Sequence, residues 1–511
     1  MITEPRRPLI ALATLAALWA AAAAPAAGQA TIGGEWREDV DRFARRVVDA
    51  GLAPGLSLAV ATGDWVAHAA GSGNVDRATG RPVDGDTPFY IASSTKSLTA
   101  LAVVLASQRG ELDLEAPLVE HLPDVRFPDG VDPSSVTLDD LLAMRHGLSG
   151  RGPVVLLTAF IGEDRRQRIP PLVRFHESTG EAGTFAYNNL GYNLLGLVLE
   201  ARYGTSWKDV VRREVLAPAG MSRTSARLSR LPGHLLALPH QAEPDGFARM
   251  RLAKRDANLH AAGGHFASAR DLARYLAVHL GDGTLNGERV LPAAAVRSTH
   301  EPVISQDRDF GPYHRHAWAY GWDVGTFEGD TLLHRFGAFA GYFSHLSFMP
   351  DHDVGVAVLV NGEQPAGPAA NLVANYAYGR LLGKPDLEET YAARLDSLEA
   401  RAEEARSRLA AHREERRARR AQLSYPLSAY GGVYRNPVLG RMEWRVVAGG
   451  LEMRLGVIES RAEVYDASAD ELRIEFGGSG TVVGFALPED GGPARAATLF
   501  GIRFERVAGG G

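Results

Sequence analysis

Ser93-Ser94-Thr95-Lys96 puts a hydroxyl and a primary amine three residues apart at the head of a predicted helix. Residues with that spacing share a helix face, with Cβ atoms about 5–6 Å apart, so the amine can reach the hydroxyl. The helix start adds unpaired N–H groups and a positive partial charge, which favour an alkoxide and a developing oxyanion. Serine is a weak nucleophile until a neutral amine takes its proton, so Lys96 needs a depressed pKa or a relay partner. The chain holds four lysines, at 96, 208, 254 and 384, and the residues three before the last three are Thr205, Arg251 and Leu381; the pattern therefore occurs once. The plainer alternative is a Ser/Thr cap followed by a surface lysine.

Two further groups bear on the choice. Tyr187-Asn188-Asn189 opens a second predicted helix after Phe185. A tyrosine with a nearby asparagine suits a proton relay and a hydrogen bond to a substrate amide; its bland counterpart is a loop–helix junction with Asn as the cap. Arg335-Phe336-Gly337-Ala338 leads into an apolar run at Phe343. A cation followed two residues later by glycine on a strand edge can set a charge and a closely approaching backbone beside a substrate. His314-Arg315-His316 has the look of a metal pair but reads better as a polar loop beside Tyr313, Trp318 and Tyr320, aromatics that could line a substrate mouth. No metal or cofactor is expected. G-x-S-x-G and H-E-x-x-H are both absent from the sequence.

These residues need a scaffold. Leu56–Ala61 and Trp65–Ala70 flank Thr62-Gly63-Asp64 and read as a hairpin. Ser94–Arg109, Asn189–Tyr203 and Asp271–Leu280 carry helical periodicity, the first with Leu98, Leu101, Ala102 and Leu105 on one face. Phe343–Met349 and Val354–Val360 are β-rich runs about a Pro350-Asp351-His352-Asp353 turn. Strands at both ends with helices between them predict an α+β or α/β arrangement for residues 31–385.

The rest of the chain divides by composition. Arg6 and Arg7, the apolar Leu9–Ala24 stretch and small residues to Ala30 read as a signal peptide (1–30), with an uncleaved anchor as the alternative. This predicts a periplasmic or secreted protein with no integral membrane domain once the signal is removed. Residues 386–424 are rich in Ala, Arg and Glu, and Leu387, Tyr391, Leu395, Leu398, Ala402, Ala405 and Leu409 form a narrow stripe. A connector helix packed on a neighbour is preferred to a dimerising coiled coil; the oligomeric state is left open. Residues 425–511 show short runs at Met442–Val447, Leu451–Leu455, Leu472–Phe476, Thr481–Phe485 and Thr498–Phe504, which predict a small antiparallel barrel or sandwich. The 511 residues are 45% hydrophobic and 23% charged, ordinary for a globular protein of two or three domains. With 55 basic and 61 acidic residues the formal charge is −6, without the basic excess of a nucleic-acid binder. There is no cysteine, which excludes disulfides, thiolate-held metals and a cysteine nucleophile.

S-x-x-K, then Tyr-x-Asn, then a cation-x-Gly strand, in this order, resembles the serine β-lactamase and penicillin-binding-protein superfamily, most of all its class C branch of esterases, D-aminopeptidases and D-Ala-D-Ala carboxypeptidases. Phe89-Tyr90-Ile91-Ala92, Ala262-Gly263-Gly264-His265 and Tyr320-Gly321-Trp322 add to the likeness, which covers about 53–382. The resemblance implies an α+β fold: an antiparallel sheet flanked by helices, with an all-helical subdomain. It also implies an acyl-enzyme on Ser93, general-base work shared by Lys96 and Tyr187, substrate orientation by Asn189, and an oxyanion hole from the N–H groups of Ser93 and Ala338 beside Gly337. Arg335 stands where the family has Lys or His. Arginine cannot serve as a base but can pair with a substrate carboxylate; a shift of one residue would put His334 there instead. Met144-Arg145-His146-Gly147-Leu148 matches a family segment read as structural. Residues 425–507, opening with Leu427-Ser428-Ala429-Tyr430-Gly431-Gly432, look like a lipocalin-like barrel appended to such hydrolases. The expected substrate is a small molecule or peptide bearing an amide or ester. A sensor that acylates but barely turns over, and a silent binding scaffold, are the alternatives.

Overall fold

The computed structural model describes residues 34–163, 167–419 and 422–507. The proposed signal segment lies outside the described residues.

A ten-stranded antiparallel sheet forms the main body. In chain order its strands are β1 (Gly55–Thr62), β2 (Trp65–Asp76), β3 (Arg81–Pro82), β4 (Ile304–Phe310), β5 (Tyr313–Ala319), β6 (Trp322–Phe327), β7 (Asp330–His334), β8 (Gly337–Phe339), β9 (Tyr342–Met349) and β10 (Val354–Val360). Their spatial order is β4-β5-β6-β7-β9-β10-β1-β2-β3, with short β8 paired to β9. The expected hairpin at Gly63 is β1–β2, and β9 and β10 flank the predicted turn. Both faces of β10 are buried, so its apolar residues run on without polar ones alternating between them.

Helices cover both faces. On one, α1 (Glu35–Asp49) and α5 (Ala366–Leu381) share a core with β1 and β10, in which Phe43 stacks on Tyr376 at 4.2 Å. On the other lie α2 (Thr95–Gln108), α3 (Leu190–Tyr203) and α4 (Ala269–Leu280), close to the predicted ranges. Helical periodicity predicts one apolar face for α2. Every residue from Thr95 to Ala106 is in fact buried, because the helix runs through the interior between sheet and helical region.

Helix α6 (Leu387–Ala418) buries Leu387, Tyr391, Leu395, Leu398 and Ala402 in the core shared with α1 and α5. Ala405 and Leu409 are only half-buried, so the stripe stops engaging before the helix ends.

A nearly closed antiparallel barrel of nine strands follows. Residues 498–504, expected as one strand, form a hairpin of Ala496–Leu499 and Ile502–Arg506 about Phe500-Gly501. Both turn residues have positive φ, +51° and +74°, which suits a tight hairpin. Gly432–Asn436, Ile458–Arg461 and Glu463–Asp466 are strands with no apolar run long enough to announce them. The barrel touches the main body directly: Val457 N donates to the Ile161 carbonyl at 2.8 Å, and Phe160 stacks on Phe476 at 5.4 Å. Among the described residues no helix is long and apolar enough to cross a membrane.

Candidate active site

Ser93 sits in a turn of tight helix, Ala92–Ser94, that runs straight into α2. Ala92 just before it has φ +43°, a left-handed conformation that costs a residue with a Cβ roughly 1 kcal/mol or more. The helix start is held by the sheet rather than by a side-chain cap. Ser94 Oγ donates to the Arg335 carbonyl and meets Ser344 Oγ, each at 2.8 Å. Gly321, at φ +88°, lets the β5–β6 turn lie against this first helical turn, where a Cβ would come within 2.6 Å of Ser97 Cα.

Lys96 is fully buried one turn along, and its Nζ lies 3.1 Å from Ser93 Oγ. The amine also donates to Asn189 Oδ1 and to the Ala262 carbonyl, both at 2.7 Å. Burial pushes its pKa down to about 8; the Arg335 charge lowers it further, while Tyr187 opposes the shift. A neutral amine is therefore accessible near neutral pH, as proton abstraction from Ser93 requires.

Tyr187 presents its ring to the Lys96 amine, 4.9 Å from the centroid. Burial raises the phenol pKa, but the charges of Arg335 and Lys96 and hydrogen bonding from Lys96 and Ser93 outweigh it, and the value falls to about 8. The two asparagines after Tyr187 divide the work. Asn188 Oδ1 caps α3 by accepting from Leu190 N at 3.0 Å, which leaves Asn189 free for Lys96. The His146 ring, in the segment read as structural, lies 3.3 Å from Asn188 Oδ1 and supports that cap.

Strand β8 completes the arrangement. Ala338 pairs with Phe343 and is exposed at the strand edge. Gly337 lies so near the nucleophile turn that a Cβ there would meet the Ile91 carbonyl oxygen at 2.1 Å and Ser93 N at 2.8 Å. Glycine thus brings the backbone of β8 alongside that of Ser93.

Arg335, not His334, faces Tyr187. Its guanidinium carbon is 4.9 Å from the Tyr187 ring centroid and 5.4 Å from that of Trp318. The structure places His334 away from the site, because neighbouring strand residues point to opposite faces. His334 is buried among Tyr313 and Phe336, and Arg315 Nε donates to its Nε2 at 2.9 Å. Arg335 itself is buried and already has a carboxylate partner, Asp323 Oδ2, at 3.0 Å.

His314 and His316 lie on strand β5, not on a loop, and both are exposed. Trp318 and Tyr313 are buried and line no mouth: Trp318 meets the Tyr187 ring edge-on, whereas Tyr313 packs beside His334 on the other face of the sheet. Among the described residues no group of histidine and acidic side chains could hold a metal ion.

Sequence reasoning missed the Ala262 carbonyl that accepts a hydrogen bond from Lys96, although it lies in the Ala262-Gly263-Gly264 run. It missed Asp323, which one buried aspartate in an apolar strand signalled only faintly. It also gave no role to Lys254, 1% exposed, whose amine donates to the Ala159 carbonyl at 2.7 Å and sits 4.0 Å from the centroid of Phe339 on β8.

The family model described as Beta-lactamase matches residues 40–380. Penicillin-binding protein 4 of Amycolatopsis lactamdurans is 28% identical over 321 residues, covering 60% of this chain and 81% of that protein. Among solved structures, the octameric penicillin-binding protein homologue from Pyrococcus abyssi superposes with a TM-score of 0.57 at 21% identity, over 91% of this chain and 99% of that one. D-amino acid amidase from Ochrobactrum anthropi SV3 superposes with a TM-score of 0.55 at 21% identity, over 68% of this chain and 98% of that one.

Proposed function

Since the chain belongs to the Beta-lactamase family, we propose that it is an exported serine hydrolase that cleaves an amide or ester through an acyl-enzyme on Ser93. The observation that carries this reading is the 3.1 Å contact between Ser93 Oγ and a buried Lys96 amine whose pKa is pushed down to about 8.

In the proposed reaction the Lys96–Tyr187 pair takes the Ser93 proton as Oγ attacks the substrate carbonyl. The two groups titrate as a unit, so the base is the pair sharing one proton. The oxyanion is received by the N–H groups of Ser93 and Ala338; the close approach of Gly337 to the Ser93 turn supports this pairing. The shared proton passes to the leaving amine or alcohol, and the acyl group stays on Ser93. Water, activated by the same pair, then releases the acid. Asn189, already accepting from Lys96, has its amide N–H₂ left to orient the substrate. A β-lactam, a D-amino-acid peptide and a simple ester all present the carbonyl this chemistry needs.

The domain assignment is part of the proposal: 31–385 carries the chemistry, 386–424 links, and the 425–511 barrel shapes or braces the cleft from its Phe160 side. The test is turnover of a nitrocefin-type lactam, a D-Ala-D-Ala peptide and a p-nitrophenyl ester by wild type and Ser93→Ala. Loss of all turnover in a folded variant supports the reading, and retained turnover ends it. A Ser93 adduct that persists on the wild type by mass spectrometry would identify a sensor instead.

A further inference from the structure

The Arg335 guanidinium on the Tyr187 ring is held by three hydrogen bonds to two acceptors. Nη1 donates to Asp323 Oδ2 at 3.0 Å, and Nε and Nη2 both donate to the Phe336 carbonyl at 3.1 Å. Asp323 is fully buried on β6, opposite His334 in the strand register. Its second oxygen, Oδ1, accepts from Gln306 Nε2 at 3.0 Å, with Arg315 Nε at 3.6 Å and Arg308 Nη2 at 3.8 Å. One carboxylate thus stands among three guanidiniums. Without it, Arg308 and Arg315 would repel Arg335, whose long side chain has other places to go.

We propose that Asp323 is a positioning residue of the hydrolytic site: its buried carboxylate clamps the Arg335 guanidinium against the Tyr187 ring and so sets the pH at which that phenol ionises beside Ser93. The proposal rests on the serine-hydrolase reading above.

Asp323 acts on Tyr187 in two opposed ways. It keeps a cation on the ring, which favours the phenolate, and its own negative charge disfavours it. The guanidinium touches the ring while the carboxylate stands behind the guanidinium, so the nearer charge wins and clamping dominates. The other groups facing the phenol and the guanidinium are Lys96 from α2, Ser93 and Tyr192 from α3; those facing Asp323 are Arg308, Arg315 and His334. All of these keep their identity when Asp323 alone is changed.

The experiment measures Tyr187 ionisation by tyrosinate absorbance, taken as the difference from Tyr187→Phe, together with the pH dependence of kcat and KM on a p-nitrophenyl ester. In Asp323→Asn the tyrosine titration and the rising limb of kcat should move up by about one pH unit, with kcat falling more than KM changes. Asp323→Glu should restore most of the shift. A titration that stays in place or moves down in folded Asp323→Asn overturns the clamp. If that variant does not fold, Arg335→Met is compared with and without Asp323→Leu, since an apolar pair tolerates this burial better than a lone charge. One shared kcat–pH profile supports action through Arg335, and a further shift on adding Asp323→Leu overturns it. Ester turnover that survives Ser93→Ala would sink the hydrolase reading instead, while the absorbance titration, which needs no turnover, still decides the clamp.

Discussion

Gly337→Ala is the substitution that separates the oxyanion hole from the rest of the site. The added methyl would lie 2.1 Å from the Ile91 carbonyl oxygen and 2.8 Å from Ser93 N. Non-bonded carbon and oxygen settle at about 3.2 Å or more, so β8 must retreat from the nucleophile turn by roughly 1 Å. A hydrogen bond of about 2.9 Å stretched by that amount is lost, and the lost N–H is that of Ala338, one residue along. Removing one oxyanion donor costs about 10²–10³ in kcat, or roughly 3–4 kcal/mol of transition-state stabilisation. Overpacking adds a stability cost of about 1–3 kcal/mol. Ser93, Lys96, Tyr187 and Asn189 keep their contacts with one another, since none runs through Gly337. The assay is ester hydrolysis with kcat and KM resolved, beside a thermal melt. The expected result is a folded protein, KM within a few-fold of wild type and kcat down by at least about a hundredfold. A folded Gly337→Ala protein with kcat within threefold of wild type would refute both the role of the Ala338 N–H and the claim that glycine is there for close approach.

Two further predictions concern the buried amines. Lys96 and Tyr187 are both pulled down to about 8, so the pair goes from two protons to the single shared one as pH rises through that value. The base is the pair in its singly protonated form; kcat/KM should rise about tenfold per pH unit on the acid side and level off above a single limb near 8, and a profile flat from neutral to alkaline pH would exclude this pair. For Lys254, burial brings the folded-state pKa down to about 7 from an ordinary 10.5. Between those values the unfolded amine keeps a proton that the folded one has shed, so stability climbs with pH across the window and is lowest below 7. Lys254→Met should flatten that dependence and raise the urea midpoint most at about pH 6; a lower midpoint there would mean that the charged amine over Phe339 stabilises the fold.

Much of this architecture is legible because its signals are local. The Gly63 hairpin, α2, α3, α4 and the pair β9–β10 each carry a period or a turn dipeptide within a few residues, and their bounds fall close to the expected ones. The Ser93–Lys96 contact follows from helix geometry alone. What stayed hidden depends on partners distant in sequence. The face of α2 is such a case: nothing in Thr95–Ala106 says that a second layer will cover its polar side. The choice between His334 and Arg335 is another, because strand alternation fixes that the two diverge but not which one meets Tyr187. The Thr498–Phe504 run concealed a hairpin because Phe500, apolar in type, is the exposed turn residue.

Of the 55 basic residues only four are lysine, and three of those, Lys96, Lys208 and Lys254, are buried, while Lys384 is partly exposed and pairs with Asp330. Arginine stays charged at every accessible pH, whereas a lysine taken out of water can give up its proton. A chain that uses arginine almost everywhere a permanent charge is wanted leaves lysine for positions where an amine must be able to become neutral. Lys96 and Lys254, held near 8 and near 7, are two such positions. The substitution at 335 follows the same logic in reverse. The cation on the Tyr187 ring has to remain a cation while its neighbour ionises, and a guanidinium fixed by Asp323 cannot lose its charge to burial as an ammonium there would.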